Sequence, residues 1–268
     1  MEVFMTRKEQ IQFLIHSLLE EMPEYRSQAA MFSKEDTSQR QLLRSLMNVR
    51  PPMPLSPDFL AVESELLSSE AQEKGIIDVL SLPGSPFDPK LSLWQGDITR
   101  LKADAIVNAA NNALLGCFIP CHGCIDNAIH SAAGLELRNE CQEIMKVQGH
   151  PEETGKAKLT KGYHLPAKFV LHTVGPIIYR QVTEKDRKLL ESCYRSCLET
   201  AASHHLESVA FCCISTGEFR FPNDLAAQIA VTTVEEFLRS ENTSIRKVVF
   251  NVFKDFDKEI YSNLLGIH

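Results

Sequence analysis

The sequence predicts an α/β domain in which a mixed, largely parallel sheet lies between two layers of helices, preceded by a helical extension. Before residue 75, apolar residues recur at the three- and four-residue spacing of helices. After residue 90, short strand-like apolar runs alternate with amphipathic helical segments. A stretch rich in proline and glycine, Pro83–Pro89, lies between the two patterns. We therefore expect the extension to cover residues 1–75 and the α/β domain to cover residues 76–268.

Each of the three helices predicted in the extension opens on an N-cap pattern. Thr6 and Glu9 form a capping box, and Ser38 with Gln41 has the same spacing. Ser56 precedes a proline, which suits the first position of a helix. The three helices are expected to end at Pro23, Pro51 and Gly75.

The α/β domain is predicted to contain five strands and four helical segments. The strands are Leu91–Gln95, Ala105–Asn108, Phe169–Val174, Val209–Ile214 and Val248–Phe253. The helical segments lie near residues 125–147, 184–204, 223–240 and 256–265. Because ligand sites in open parallel sheets lie beyond the carboxyl ends of the strands, the residues that follow each strand are candidates for a site.

Composition limits the classes of function. A formal net charge of -7 argues against a protein that coats nucleic acid, since neutralising phosphates requires a basic surface. The apolar runs are too short to span a bilayer, and the N-terminus resembles an amphipathic helix rather than a signal peptide. We expect a soluble, cytoplasmic protein with no nucleic-acid or membrane partner. Disulfides are then disfavoured for its eight cysteines, so clustered cysteines suggest a metal site or reactive thiols.

Polar loops follow three of the predicted strands. Asp97 can accept hydrogen bonds from an amino group such as that of adenine, or it can act as an N-cap. Asn111 can bond ribose hydroxyls, or it can occupy a turn. The backbone N–H groups of residues 215–219 can cradle a diphosphate, although ordinary strand-to-helix turns use the same residue types.

The order of the motifs resembles the macrodomain family. The matching segments are Gly-Asp-Ile-Thr at 96–99, Asn-Ala-Ala-Asn at 108–111, Ile-His-Ser-Ala-Ala-Gly at 129–134, His-Thr-Val-Gly-Pro at 172–176 and Ser-Thr-Gly at 215–217. The resemblance covers about residues 76–268 and leaves the N-terminal helices outside it. Macrodomains bind ADP-ribose, and many hydrolyse it from proteins, so the resemblance implies a three-layer α/β/α macrodomain with such a site.

The resemblance also assigns the parts of the ligand to residues. Carried over by motif, Asp97 contacts adenine, Asn111 the distal ribose and residues 215–219 the diphosphate, with Phe219 against the distal ribose. The full set of implied ADP-ribose-binding residues is Asp97, Ile98, Asn111, Cys117, His122, Cys124, Ile125, Asp126, Ser215, Thr216, Gly217, Glu218 and Phe219.

The segment from Cys117 to Cys124 departs from the glycine-rich run that many hydrolytic macrodomains carry. Three thiols and an imidazole within eight residues match the ligands zinc prefers, the alternative being reduced cysteines packed in a core. The segment resembles the zinc-containing branch of macrodomains, which is microbial and associated with sirtuin-type ADP-ribosyltransferases. That resemblance implies a Zn²⁺ cofactor with Cys117, His122 and Cys124 as ligands and one open position. Cys121 could be a fourth ligand, but as the neighbour of His122 it is expected to point elsewhere.

Asp126 matches the helix-entry aspartate of hydrolytic macrodomains, which implies that it is the catalytic base that orients or deprotonates water. Its alternative role is an aspartate that interacts with the helix dipole. His130 and His172 lie in apolar surroundings and are interpreted as core histidines with hydrogen-bond partners. Glu218 is expected to line the cleft or to meet the cysteine-rich loop.

The implied function is a zinc-dependent protein-ADP-ribose hydrolase, acting as a glycosidase or esterase at the distal ribose. Aspartyl or glutamyl ester linkages are the first choice. The partner is then an ADP-ribosylated protein, for which a lipoate-carrier-type protein is one candidate. The alternatives are a reader module that binds ADP-ribose without turnover and a phosphatase acting on ADP-ribose phosphate. An open metal position favours catalysis.

Overall fold

The computed structural model describes residues 5–240 and 243–267. Its α-helices are α1 (Arg7–Glu21), α2 (Arg26–Ala29), α3 (Asp36–Val49), α4 (Pro57–Lys74), α5 (Ile125–Ala133), α6 (Leu135–Gln148), α7 (Glu184–Ser203), α8 (Asn223–Ser240) and α9 (Asp255–Leu265). Its strands are β1 (Ile77–Asp78), β2 (Leu91–Gln95), β3 (Leu101–Lys102), β4 (Ala105–Ala109), β5 (Ala157–Lys161), β6 (Phe169–Thr173), β7 (Ser208–Phe211) and β8 (Lys247–Val252).

The main sheet has the strand order β2-β8-β7-β4-β6-β5. Every neighbouring pair is parallel except β5 with β6, so the predicted mixed, largely parallel sheet is confirmed. The strands β4, β7 and β8 are buried along almost their whole length, as expected for parallel strands covered on both faces. The short strands β1 and β3 pair separately, in parallel.

Helices cover both faces of the main sheet. His172 of β6 points toward α6, where its Nε2 lies 3.9 Å from the Sγ of Cys141. The helix α7 lies on the other face, where the Sγ of Cys193 donates to the carbonyl of Val174, directly after β6, at 3.4 Å. The helix α7 packs on α8, and α8 on α9, so these three form one layer while α5 and α6 form the other. The three-layer α/β/α architecture is confirmed.

The N-terminal helices pack against the layer formed by α5 and α6. Both α3 and α4 contact α5, and Leu135 of α6 belongs to the apolar cluster of the extension. The capping box of Thr6 and Glu9 is present at the start of α1, as predicted. The fully buried leucines in this apolar cluster of the extension are Leu14, Leu18, Leu43 and Leu66. The domain boundary at residue 75 stays a prediction.

Within residues 5–240 and 243–267, no helix combines the length and the apolar character that a membrane-spanning helix requires.

Some element boundaries differ from those predicted. The segment predicted as one helix near 125–147 is two helices, because Gly134 takes a φ of +92° between them. The helix α3 begins at Asp36, ahead of the predicted start at Ser38. The strand β7 ends at Phe211, before the loop that leads to the predicted site. The edge strand β5 was not predicted, because only two of its five residues, Ala157 and Leu159, are apolar.

Glu63 of α4 joins the extension to α6. Its side chain is fully buried, and its Oε1 accepts a hydrogen bond from the backbone N–H of Leu135 at 3.1 Å. Burial raises the pKa of this carboxyl to about 7, although the hydrogen bond from Leu135 opposes the shift. The folded protein therefore holds a proton on Glu63 that the unfolded chain releases at a lower pH.

We expect Glu63→Gln to stabilise the protein above pH 7 more than below pH 5. Folding raises the pKa of Glu63 from 4.5 to about 7. The contribution of protonated Glu63 to the free energy of unfolding is therefore complete at low pH and is lost as the pH rises between these two values. Glutamine keeps an acceptor for Leu135 and does not ionise. Thermal unfolding at about pH 5 and about pH 8 checks this prediction. An equal change in Tm at both pH values would contradict it.

Candidate active site

The parallel strands bring the predicted loops to one edge of the sheet. Asp97 follows β2, Asn111 follows β4, and residues 215–219 follow β7. Phe253 follows β8, the neighbour of β2, and is 75% exposed. The carboxyl ends of four strands thus present polar loops and one exposed aromatic ring along a single edge, where ligands of open α/β sheets bind.

Asp97 opens the short 3-10 helix Ile98–Arg100. Its Oδ1 accepts hydrogen bonds from the backbone N–H of Thr99 at 3.0 Å and from the Thr99 hydroxyl at 2.7 Å. The N-cap role is therefore present. Both bonds use Oδ1, so they do not engage the second carboxylate oxygen. Ile98, which was predicted to bind ADP-ribose, is 1% exposed and therefore offers almost no surface to a ligand.

The loop at residues 215–219 is a tight turn. Ser215 has a φ of +65°, and its carbonyl accepts a hydrogen bond from Phe221 at 2.9 Å. The Thr216 hydroxyl donates to the carbonyl of Cys213 at 3.0 Å. A Cβ on Gly175 would overlap the Ser215 hydroxyl, which explains glycine at that position. The Thr216 backbone N–H also donates to the carbonyl of Cys213, at 3.4 Å, so this N–H is used within the turn.

Cys117, His122 and Cys124 lie close together. Their ligand atoms are all within 4.8 Å of one another, and each side chain is half-buried. The Cys117 Sγ lies 3.6 Å from the His122 Nδ1. Zinc at its usual bond lengths and tetrahedral angles would set this edge at about 3.5 Å. The donor set and the spacing therefore fit Zn²⁺.

Cys124 also begins α5. Its Sγ accepts a hydrogen bond from the backbone N–H of Asn127 at 3.4 Å, as an N-cap does. Burial raises the pKa of the Cys124 thiol to about 11, although the hydrogen bond from the Asn127 N–H opposes the shift. Cys124 lies two residues ahead of Asp126, so the start of α5 positions both residues.

Cys121 points away from the other three residues. Its backbone is left-handed, with a φ of +50°. Its Sγ lies 3.3 Å from the Ser45 hydroxyl and 3.6 Å from the carbonyl of Gln41, both on α3. The expectation that the neighbour of His122 faces elsewhere agrees with this geometry.

Asp126 is held by the two outer asparagines of Asn-Ala-Ala-Asn. Its Oδ1 accepts from Nδ2 of Asn108 at 2.8 Å, and its Oδ2 accepts from Nδ2 of Asn111 at 3.3 Å. The residue is 5% exposed, and burial raises the pKa of its carboxyl to about 6. The hydrogen bond from Asn108 and the charge of Arg138 oppose that shift. The geometry fixes the orientation of the carboxyl group at the sheet edge.

The two histidines differ in their surroundings. His172 bonds Thr160 at 2.9 Å and Asn108 at 3.2 Å, so its interpretation as a core histidine with partners agrees with the structure. His130 is buried, but neither of its ring nitrogens makes a hydrogen bond. Its Nε2 lies 3.5 Å from Oδ1 of Asp126. Burial lowers the pKa of both rings, to about 3 for His172, which keeps them neutral.

Glu218 meets the cysteine-rich loop. Its Oε1 lies 3.7 Å from the His122 Nε2, while the other ring nitrogen of His122 faces Cys117. A carboxylate behind a ligating imidazole is a common arrangement around zinc, because it orients the ring. The adjacent Phe219 is half-buried, and its carbonyl accepts from Ile178 at 2.8 Å. Ile125 is also half-buried, at the first position of α5.

Two features of the site were missed from sequence. Asn108 was read only as part of a motif, but it binds both Asp126 and His172. Phe253 was assigned to the end of a strand, although it is 75% exposed and directly follows Val252, which pairs with Gln95 at the end of β2. An aromatic residue directly after a buried strand was the available signal.

Comparison with known proteins shows the family. A model of the Macro domain matches residues 107–230. A protein-ADP-ribose hydrolase from Treponema medium is 49% identical over 266 residues, which cover 98% of this chain and 100% of that protein. The chain belongs to the macrodomain family. A protein-ADP-ribose hydrolase from Staphylococcus aureus strain Mu50 is 47% identical over 267 residues, covering 99% of this macrodomain chain and 98% of the relative.

Solved macrodomain structures support the same assignment. The Trypanosoma brucei macrodomain in complex with ADP-ribose is 32% identical and has a TM-score of 0.65, covering 83% of this chain and 95% of that one. The Oceanobacillus iheyensis macrodomain with ADP is 40% identical and has a TM-score of 0.59, covering 66% of this chain and 90% of that one.

Proposed function

We propose that this macrodomain is a zinc-dependent protein-ADP-ribose hydrolase. The observation that carries the proposal is the convergence of Cys117, His122 and Cys124 at the start of the helix that holds Asp126. Relatives that share nearly the full length of the chain are named protein-ADP-ribose hydrolases. A metal site with three protein ligands suits catalysis, because it leaves one position open.

ADP-ribose would lie along the carboxyl ends of the strands. Asp97 would accept a hydrogen bond from the adenine amine, and the exposed ring of Phe253 offers a surface on which a purine can stack. The N–H groups of the turn at 215–219 would bind the diphosphate. The distal ribose would then reach Asn111 and Phe219, close to the start of α5.

Asp126 would act as the base. Its carboxylate, oriented by Asn108 and Asn111, would accept a proton from the attacking water as the bond to the distal ribose breaks. Zinc, when bound, would supply Lewis-acid stabilisation of the charge that develops on oxygen. Glu218 would hold the His122 ring in the orientation that presents Nδ1 to the metal.

The preferred substrates are proteins modified on aspartate or glutamate, as in the zinc-containing branch associated with sirtuin-type transferases that this loop resembles. A lipoate-carrier-type protein is one such substrate. We expect faster release from aspartate- and glutamate-linked ADP-ribose than from serine- or arginine-linked ADP-ribose. A panel of four carrier proteins, each modified through one linkage, checks this by chromatography of free ADP-ribose. Equal rates across the panel would contradict ester selectivity and leave hydrolysis itself intact.

Purified protein is expected to contain about one zinc per chain. Cys117→Ser and Cys124→Ser should each lower zinc occupancy, because each removes a thiolate ligand. Cys121→Ser is the matched control, since its Sγ faces α3, and it should keep wild-type occupancy. Elemental analysis of protein prepared without chelator measures all of these. The ligand assignment is wrong if Cys121→Ser loses the most zinc.

Asp97→Ala is expected to weaken ADP-ribose binding by about one to two decades, since a charge-assisted hydrogen bond contributes about 1.5–3 kcal/mol. Zinc content should not change. Calorimetry with ADP-ribose, ADP and ribose checks the prediction, because only ligands that contain adenine should lose affinity. An unchanged affinity for ADP would leave Asp97 with its N-cap role alone.

A further inference from the structure

The cysteine-rich loop, Cys117–Cys124, is fastened to α3 of the N-terminal extension. The backbone N–H of Cys121 donates to Oδ1 of Asn48 at 2.9 Å. Nδ2 of Asn48 donates to the Ser131 hydroxyl on α5, also at 2.9 Å. Asn48 is 1% exposed, so one buried side chain bonds both the loop and the helix that follows it.

Arg44, one turn earlier on α3, makes a second connection. Its Nη2 donates to Oδ1 of Asn127 at 2.7 Å and to the carbonyl of His122 at 3.4 Å. Asn127 in turn donates through Nδ2 to the carbonyl of Ile119 at 3.0 Å and through its backbone N–H to Cys124 Sγ. Arg44 therefore contacts one ligand residue directly and another through Asn127.

Arg138 of α6 makes a third connection between the loop and α3. The Arg138 guanidinium lies 4.3 Å from the centre of the Phe118 ring in the loop. It also donates to the carbonyls of Met47 and Asn48 at the end of α3. Arg138 therefore contacts both the loop and the last turn of α3.

These contacts bear on the three ligand residues because the loop has no helix or strand between β4 and α5 to hold it. Cys121 lies between two ligands and takes a left-handed backbone, which a residue with a side chain disfavours. The hydrogen bond from its N–H to Asn48 favours that conformation. A loop held in the ligating geometry loses less conformational freedom when it binds a metal.

We propose that α3 forms part of the metal centre, with Asn48 and Arg44 as positioning residues that pre-form the loop for Zn²⁺. The inference rests on the proposed zinc site and adds a role for the N-terminal extension, which lies outside the matched Macro domain segment. Neither residue belongs to the proposed ligand set of the metal. Each acts through the backbone or the side chains that carry the ligands.

Residues outside the ligand set of a metal commonly change its affinity by about 10- to 100-fold. We expect Asn48→Leu to weaken zinc binding by about that factor, because leucine has a similar volume but bonds neither Cys121 nor Ser131. Arg44→Met should weaken it by about 10-fold. Asn48→Asp keeps an acceptor for the Cys121 N–H and should retain most of the wild-type affinity.

The matched control is Arg40→Met. Arg40 lies one turn before Arg44 on α3, but its guanidinium pairs with Glu70 of α4 at 2.6 Å. This variant removes an arginine and an ion pair from the same helix without touching the loop. Zinc affinity of each full-length variant is measured by competition with a chromogenic chelator. Absorption of the Co²⁺-substituted proteins reports the ligand geometry, and circular dichroism reports folding.

The expected result is weaker zinc binding and an altered Co²⁺ spectrum in Asn48→Leu and Arg44→Met, with Arg40→Met and Asn48→Asp close to wild type. If Asn48→Leu does not fold, the zinc affinity of Arg44→Met tests the inference, because the Arg44 side chain is partly exposed. The inference is overturned if zinc affinity and the Co²⁺ spectrum match wild type in every folded variant. Wild-type protein that binds no zinc would instead contradict the proposed zinc site, so the two failures are distinguishable.

Discussion

Asp126→Asn is expected to lower the release of ADP-ribose from a modified protein by about two to four orders of magnitude, the usual contribution of a general base. Asparagine has nearly the same size and keeps an oxygen acceptor for Asn108, although its NH2 group cannot accept the longer hydrogen bond from Asn111. The bond from Asn108 should hold the start of α5 in place. The amide lacks the basicity to take a proton from water. Zinc content and ADP-ribose affinity should therefore stay within a factor of a few of wild type.

Single-turnover release, zinc analysis and calorimetry on the same preparation separate the roles of Asp126. Asp58→Asn is the control, because Asp58 also lies in the first turn of a helix but belongs to α4. It should match wild type in all three measurements. Turnover that persists in Asp126→Asn while ADP-ribose affinity collapses would assign Asp126 to ligand positioning and not to proton transfer.

Removal of the metal is the second large effect. Chelation followed by desalting should lower release by at least about two orders of magnitude, because a Lewis-acid contribution of several kcal/mol is lost. Adding back one equivalent of zinc should restore the rate. ADP-ribose affinity should fall less, since the proposed contacts of Asp97 and the turn at 215–219 with the adenosine diphosphate part do not involve the metal.

The internal control for chelation is Cys117→Ser. This variant should already be metal-poor, so chelator should change its rate little. A wild-type rate that is insensitive to chelator, in protein shown to be free of metal, would contradict zinc dependence. Hydrolysis by Asp126 alone would then account for whatever activity remained.

The architecture was predictable because its signals are local. Short apolar runs predicted β2, β4, β6, β7 and β8, and strand alternation with helices predicted the two covering layers. The division of the segment after residue 125 was missed because Gly134 was read as part of a motif and not as a helix end. The edge strand β5 was missed because it has only two apolar residues, Ala157 and Leu159, and its one buried residue is Thr160.

The candidate site was predictable only where its residues lie close together in sequence. Cys117, His122 and Cys124 share one loop, and their spacing alone suggested a common ligand. The contacts of Asn48 and Arg44 with that loop join residues more than seventy positions apart. No periodicity connects such residues, since packing of α3 on α5 brings them together. The approach of Glu218 to the cysteine-rich loop was one of its two expected positions, but its neighbour in that loop, His122, could not be named from sequence.

Hydrolysis of ADP-ribose from proteins is tested most directly by measuring the free ADP-ribose that zinc-loaded wild-type protein releases from a carrier modified on aspartate or glutamate. We expect multiple turnovers per enzyme molecule, together with recovery of the unmodified carrier. Tight binding of ADP-ribose without release from any of the four linkages would contradict it and would make the protein a reader.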